Sequence, residues 1–201
     1  MNKKTSIVPG SITAIGQQEN KNIATVLMDV DVVIIADVST SMETRDSRDG
    51  KTRYKILCDE LAILQNDNPG KLLVIAFADK AKIFPGGIPP KPQSESVGFA
   101  TDLAHALKYA KDFVNAPRRQ AIVISDGAPN DEQAALTVAQ TYTAPISCVY
   151  VGPTDGFGAS GKAFLERLTA ASGGQSATAD RVMELAQVVK PMLMSGNGGH
   201  Q

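Results

Sequence analysis

The chain has 201 residues, 43% of them hydrophobic, with a formal net charge of −1 and no tryptophan. That length suits one well-cored domain and is small for two. A near-neutral charge balance, the lack of any long Lys/Arg block and an aromatic content of only 5% exclude a general nucleic-acid binder and a binder of anionic membrane surfaces.

At the N-terminus, Met1 to Pro9 carries Lys3 and Lys4 with no apolar core of secretory length behind them, and no later stretch is long enough for a transmembrane span. Ser11–Met28 reads as one amphipathic helix ahead of the first strand, weakened by Gly16 and the polar run Gln17–Asn22. Short apolar runs then follow at Val30–Ala36, Leu72–Phe77, Ala121–Ser125 and Ile146–Val151. They show little alternation, the pattern of strands covered on both faces. Ala81–Phe84 reads as an antiparallel edge and Ser176–Thr178 as a short last strand.

Helical patterns lie between them, at Arg53–Gln65, Asp102–Val114, Asp131–Tyr142, Gly161–Ala171 and Asp180–Val189. Thr101 or Asp102, Asn130 or Asp131, and Ala179-Asp180 supply their N-terminal caps. Pro191 ends or kinks the last helix, and Ser195–Gly199 reads as a disordered tail. Alternating strands and helices predict an α/β fold with a doubly wound, mostly parallel sheet, helices on both faces and one antiparallel edge strand. The expected division is an N-terminal extension over 1–29, a domain over 30–194 and a flexible tail over 195–201. Two loops stand out: Glu43–Thr52, rich in charge, and Pro85–Ala100, long and rich in Pro and Gly. Cys58 and Cys148 read as ordinary buried thiols, which fits a reducing, cytoplasmic compartment.

The chemistry concentrates where the first strand ends, in Asp37-Val38-Ser39-Thr40-Ser41-Met42. In an extended segment Asp37, Ser39 and Ser41 turn a carboxylate and two hydroxyls the same way. Hard oxygen donors in that arrangement suit a small hard cation such as Mg²⁺, although Asp-x-Ser also forms plain turns and caps. In doubly wound sheets, ligands bind outside the carboxyl ends of the strands. Asp126 stands at such an end, before Gly127, and Thr101 stands just ahead of a helix.

Asp37-x-Ser39-x-Ser41, the distant Thr101 and Asp126-Gly127 together resemble the metal-ion-dependent adhesion site of the von Willebrand factor type A domain family, over roughly Val30 to Val189. Thr40 stands where the family often has Gly, and Phe99-Ala100 where it often has Gly-Gly. The resemblance implies a divalent ion, Mg²⁺ first with Mn²⁺ or Ca²⁺ also accepted. Ser39 and Ser41 would coordinate directly, with Asp37, Asp126 or Thr101 acting through water. A protein partner's Asp or Glu would complete the coordination sphere, a mode of binding and not of catalysis. Met42, Glu43, Thr101, Asp102, Pro129, Asn130 and Asp131 would form the rim. For Asp102, Asn130 and Asp131, helix capping is the competing reading, and the favoured one. The resemblance further suggests a bacterial or phage adaptor or assembly factor, sometimes with an ATPase partner.

Rival chemistries would rest on other residues. A Mg²⁺-dependent nucleotide or phosphoryl-transfer enzyme is the alternative, with Arg45, Arg48 and Lys51 as the nearby cations. A vestigial site in a structural module is a third reading. Gly156-Phe157-Gly158-Ala159-Ser160-Gly161 matches a dinucleotide fingerprint, but Pro153-Thr154-Asp155 separate it from its strand. With His105 as the one plausible base and two distant cysteines, a hydrolase triad and a zinc site both lack parts.

Overall fold

The computed structural model describes residues 7–46, 50–116, 119–127, 129–152 and 158–179. The expected helix Asp180–Val189, Pro191 and the C-terminal tail lie outside them. Within them runs a six-stranded sheet of β1 (Val32–Asp37), β2 (Leu72–Phe77), β3 (Ala81–Ile83), β4 (Gln120–Ser125), β5 (Ile146–Val151) and β6 (Ser176–Ala179). The order is β3-β2-β1-β4-β5-β6. All neighbours pair in parallel except β2 with the edge strand β3.

The continuous apolar runs explain the sheet's position. Every residue of β1, β2, β4 and β5 is buried, as strands covered on both faces require. Alternate residues then serve two cores. Val33, Ile35, Ile75 and Phe77 face α4 (Leu103–Val114), α5 (Glu132–Ala139) and α6 (Gly158–Ser172). Val32, Ile34, Ala36 and Val74 face α3 (Arg53–Asp67), which packs Ile56, Leu57, Leu61 and Leu64 against them. Each such Val, Ile, Leu or Phe side chain stabilises the fold by roughly 1.5–3 kcal/mol through burial.

The N-terminal segment forms two short helices rather than one, α1 (Ile12–Gln18) and α2 (Ile23–Met28). Asn20 takes a left-handed φ of 51°, which ends the first helix. Asn22 then caps the second, its Oδ1 accepting from the Thr25 amide at 2.8 Å. Ile12 and Val26 join the α4-side core.

Connectivity sets the functional edge. From β1 the chain passes through α3 to β2 on one side, whereas β4 lies on the other side of β1. The carboxyl ends of β1 and β4 therefore flank a reversal of strand order, the place where open α/β sheets hold ligands.

Candidate metal centre

Four of the five expected ligands meet in one hydrogen-bonded chain at that edge. Asp37 is the last residue of β1 and is fully buried. Its Oδ1 accepts from the Ser39 amide at 2.8 Å, which fixes the turn out of the strand. A 3-10 turn over Thr40–Glu43 then brings Ser41 round to β4. Ser41 Oγ donates to Asp126 Oδ1 at 2.7 Å, and lies 3.1 Å from Ser39 Oγ. Because Ser41 has one hydroxyl proton and gives it to Asp126, Ser39 is the donor in that second contact. Each serine oxygen thus keeps lone-pair capacity after its proton is committed.

Thr101 occupies the adjoining loop. Its carbonyl accepts from the Asn130 amide at 3.0 Å, which ties it to the segment beyond Asp126. Asp79 shapes the loop by accepting from the Phe99 and Ala100 amides at 2.8 and 3.0 Å. Gly98, at φ +89°, lets the chain pass over that carboxylate: a Cβ there would sit 2.1 Å from Asp79 Oδ2. The two departures from the family pattern meet each other. Thr40 donates through its amide and its hydroxyl to the Phe99 carbonyl, at 3.3 and 3.2 Å.

Two participants escaped the sequence reading. Ser125 Oγ donates to Asp37 Oδ2 at 2.6 Å. Ala36 pairs with Ile124 in the parallel register, so Asp37 and Ser125 come next to each other as the strands end. Arg53, at the start of α3, is the other. Its Nη1 donates to Asp126 Oδ2 at 2.6 Å, and its Nε and Nη2 hold Asp46. The signal for it was present: Arg53, Ile56, Leu57, Glu60, Leu61 and Leu64 share the buried face of α3, a spacing that puts Arg53 inside.

The electrostatics follow from this packing. Burial, and then the charge of Asp126, push the Asp37 carboxyl upward to about 6, against the opposing pull of the Ser125 and Ser39 hydrogen bonds. Arg53 is raised: burial works against its charge, but the bonds to Asp46 and Asp126 outweigh it. Asp37, Asp126 and Asp46 against Arg53 leave a formal balance of three negative charges to one positive, −2 in total. The all-oxygen donor set and that balance both fit one hard divalent cation.

The rim differs from expectation. Met42 is not on it: the 3-10 turn carries its side chain beneath the sheet edge, where it is fully buried with Ile56 and Leu57. Pro129 is buried as well. Asp102 caps α4 through the His105 amide at 2.9 Å, and Asp131 caps α5 through the Ala134 amide at 2.8 Å. Asn130 is no cap and remains exposed, as do Glu43 and Ser41. His105 points to solvent. Of the two cysteines, both unpaired, Cys148 is buried and Cys58 only half-buried. Arg45 bonds the Gly50 carbonyl and Lys51 pairs with Asp59, while Arg48 lies outside the described residues. Gly158 and Gly161 fall inside α6 rather than in a phosphate-holding turn.

No protein-family model and no curated protein matches the sequence. Solved structures do. BatB from Bacteroides thetaiotaomicron aligns at 17% identity over 84% of this chain and 98% of its own, with a TM-score of 0.65. A von Willebrand factor type A protein from Catenulispora acidiphila aligns at 21% identity over 85% of this chain and 43% of its own, at 0.60. The chain has the von Willebrand factor A-type fold. Manganese-loaded TRAP from Plasmodium vivax aligns at 17% identity over 83% of this chain and 74% of its own, at 0.54. Among the described residues, no helix is long and apolar enough to cross a membrane.

Proposed function

We propose that this A-type domain is a divalent-metal-dependent protein-interaction module. Asp37, Ser39, Ser41, Thr101 and Asp126 would hold the ion, with Mg²⁺ as the working cation and Mn²⁺ or Ca²⁺ as substitutes. The observation that carries this reading is the unbroken chain from Ser39 through Ser41 to Asp126, set beside a buried Asp37 at the reversal of strand order. Manganese in the TRAP structure supports a divalent ion on this fold.

The chain's own residues define the work. Asp37 and Asp126 supply charge, held in place by Ser125 and Arg53. Ser39 and Ser41 present oxygen lone pairs because their protons are already committed. Thr101, on the loop anchored by Asp79, is tied through its carbonyl to Asn130 beyond Asp126. A bound divalent ion would offer an electrophilic position that a partner's Asp or Glu carboxylate fills in place of water.

Binding, not catalysis, is the proposed use, and the natural setting is a cytoplasmic bacterial or phage adaptor or assembly factor, with an ATPase among the candidate partners. Water-proton relaxation of the Mn²⁺-loaded protein tests it. Adding a peptide with an aspartate lowers the relaxation by displacing bound water, whereas the asparagine peptide leaves it unchanged. Equal responses to both peptides would exclude carboxylate recognition.

A further inference from the structure

On the α3 side of the candidate metal centre lies a groove of about 420 Å³. It starts at Glu43, the last residue of the 3-10 turn that carries Ser41. Arg45 follows on the same segment, Lys55 and Tyr54 come from the first turn of α3, and Lys91 with Pro92 comes from the long loop. Tyr54 pins that loop in place by donating to the Pro89 carbonyl at 2.9 Å.

The lining is short of negative charge. Among the described residues it holds three cations, Arg45, Lys55 and Lys91, against the one carboxylate of Glu43. Glu43 is already engaged, accepting from Gln93 Nε2 at 3.1 Å. Arg45 spends a nitrogen on the neutral Gly50 carbonyl at 2.8 Å. Lys55 pairs with Asp59 one turn along its own exposed helix face, an arrangement of small energetic weight. The Lys91 ammonium has no polar partner among the described residues.

We propose that this groove receives a second acidic side chain of the same partner segment whose first carboxylate goes to the metal centre. The inference rests on the metal-dependent reading above and narrows the partner to a peptide segment bearing two acids. Charge complementarity of this kind sets specificity and register more than raw affinity. The Tyr54 ring and Pro92 give the groove an apolar wall for the intervening chain. A phosphate fits less well, because a dianion would meet the Glu43 carboxylate.

The test compares capped peptides on the Mn²⁺-loaded protein: one with a single aspartate, and a set with a glutamate added at successive positions along it. In the wild type, one register of the second acid tightens binding roughly fivefold, the upper range for exposed ion pairs, and raised salt removes the gain. In the double variant Lys55→Gln, Lys91→Gln the gain disappears, while Mn²⁺ affinity and single-acid binding stay as they were. No gain at any register in the wild type, or a gain that survives in the variant, overturns the proposal. So does displacement of the groove-bound acid by ADP or inorganic phosphate at lower concentrations than by free glutamate. Failure of the single-acid peptide to bind at all would instead strike the metal-dependent reading itself.

Discussion

Asp37→Asn separates the stability of this site from its function. In the folded protein Asp37 is fully buried beside a second carboxylate, and its carboxyl is lifted from an ordinary 3.8 to about 6. At about 1.4 kcal/mol per pH unit of displacement, ionising it in the metal-free protein costs on the order of 3 kcal/mol of folding free energy. The folded-state value lies above the unfolded one. The contribution of the protonated carboxyl is therefore fully present below about pH 4 and lost as pH rises through about 6. Asparagine keeps both local bonds: its oxygen accepts from the Ser39 amide, and its NH₂ donates to Ser125 Oγ, which passes its own proton to the Gly127 carbonyl at 3.3 Å. Urea unfolding in EDTA should show the variant more stable than wild type at neutral pH by up to about 3 kcal/mol. The gap should close as pH falls towards the ordinary carboxylate range, and metal binding should be lost. A variant that is less stable than wild type at neutral pH, or a gap independent of pH, would refute the buried-dyad argument.

Other changes test neighbouring parts of the site. Arg53→Gln leaves Asp126 buried without its cation, at a cost of about 3–5 kcal/mol without metal; Mg²⁺ should raise the Tm of this variant more than that of wild type, and equal shifts would contradict the charge balance. Mn²⁺ affinity, followed by calorimetry, should fall by up to about tenfold per pH unit below about pH 6 as protons compete for Asp37; a flat profile there would remove Asp37 from the ligand set. Gly98→Ala forces a Cβ into Asp79 at a left-handed φ, so denaturant unfolding should show a loss of roughly 1–3 kcal/mol. Wild-type stability in that variant would mean that the Thr101 loop is not set by Asp79.

Most of the sheet was readable because its strands are fully buried. Leu72–Phe77 and Ile146–Val151 match the apolar runs residue for residue, and the antiparallel edge falls at Ala81–Ile83. Where local polar chemistry decides, reading was harder. Capping by Asn22 and the left-handed Asn20 split the first helix, and no periodicity reports such a break. Among the described residues α6 already covers Gly158, ahead of the expected Gly161, and Gly161 is buried within it. At the site, the motif supplied Asp37, Ser39, Ser41 and Asp126, since one strand end and one register bring them together. Ser125 and Arg53 needed the register and the buried face of α3, and Met42 needed the path of the 3-10 turn.

The most direct test of the metal-centre claim is a calorimetric titration of the purified protein with Mn²⁺ in the presence of acetate, alongside Asp126→Ala and Ser39→Ala. One saturable site is expected in the wild type and none in either variant, with circular dichroism spectra unchanged. A folded wild type that binds no Mn²⁺ under these conditions, or variants that bind it as well as wild type, would contradict it.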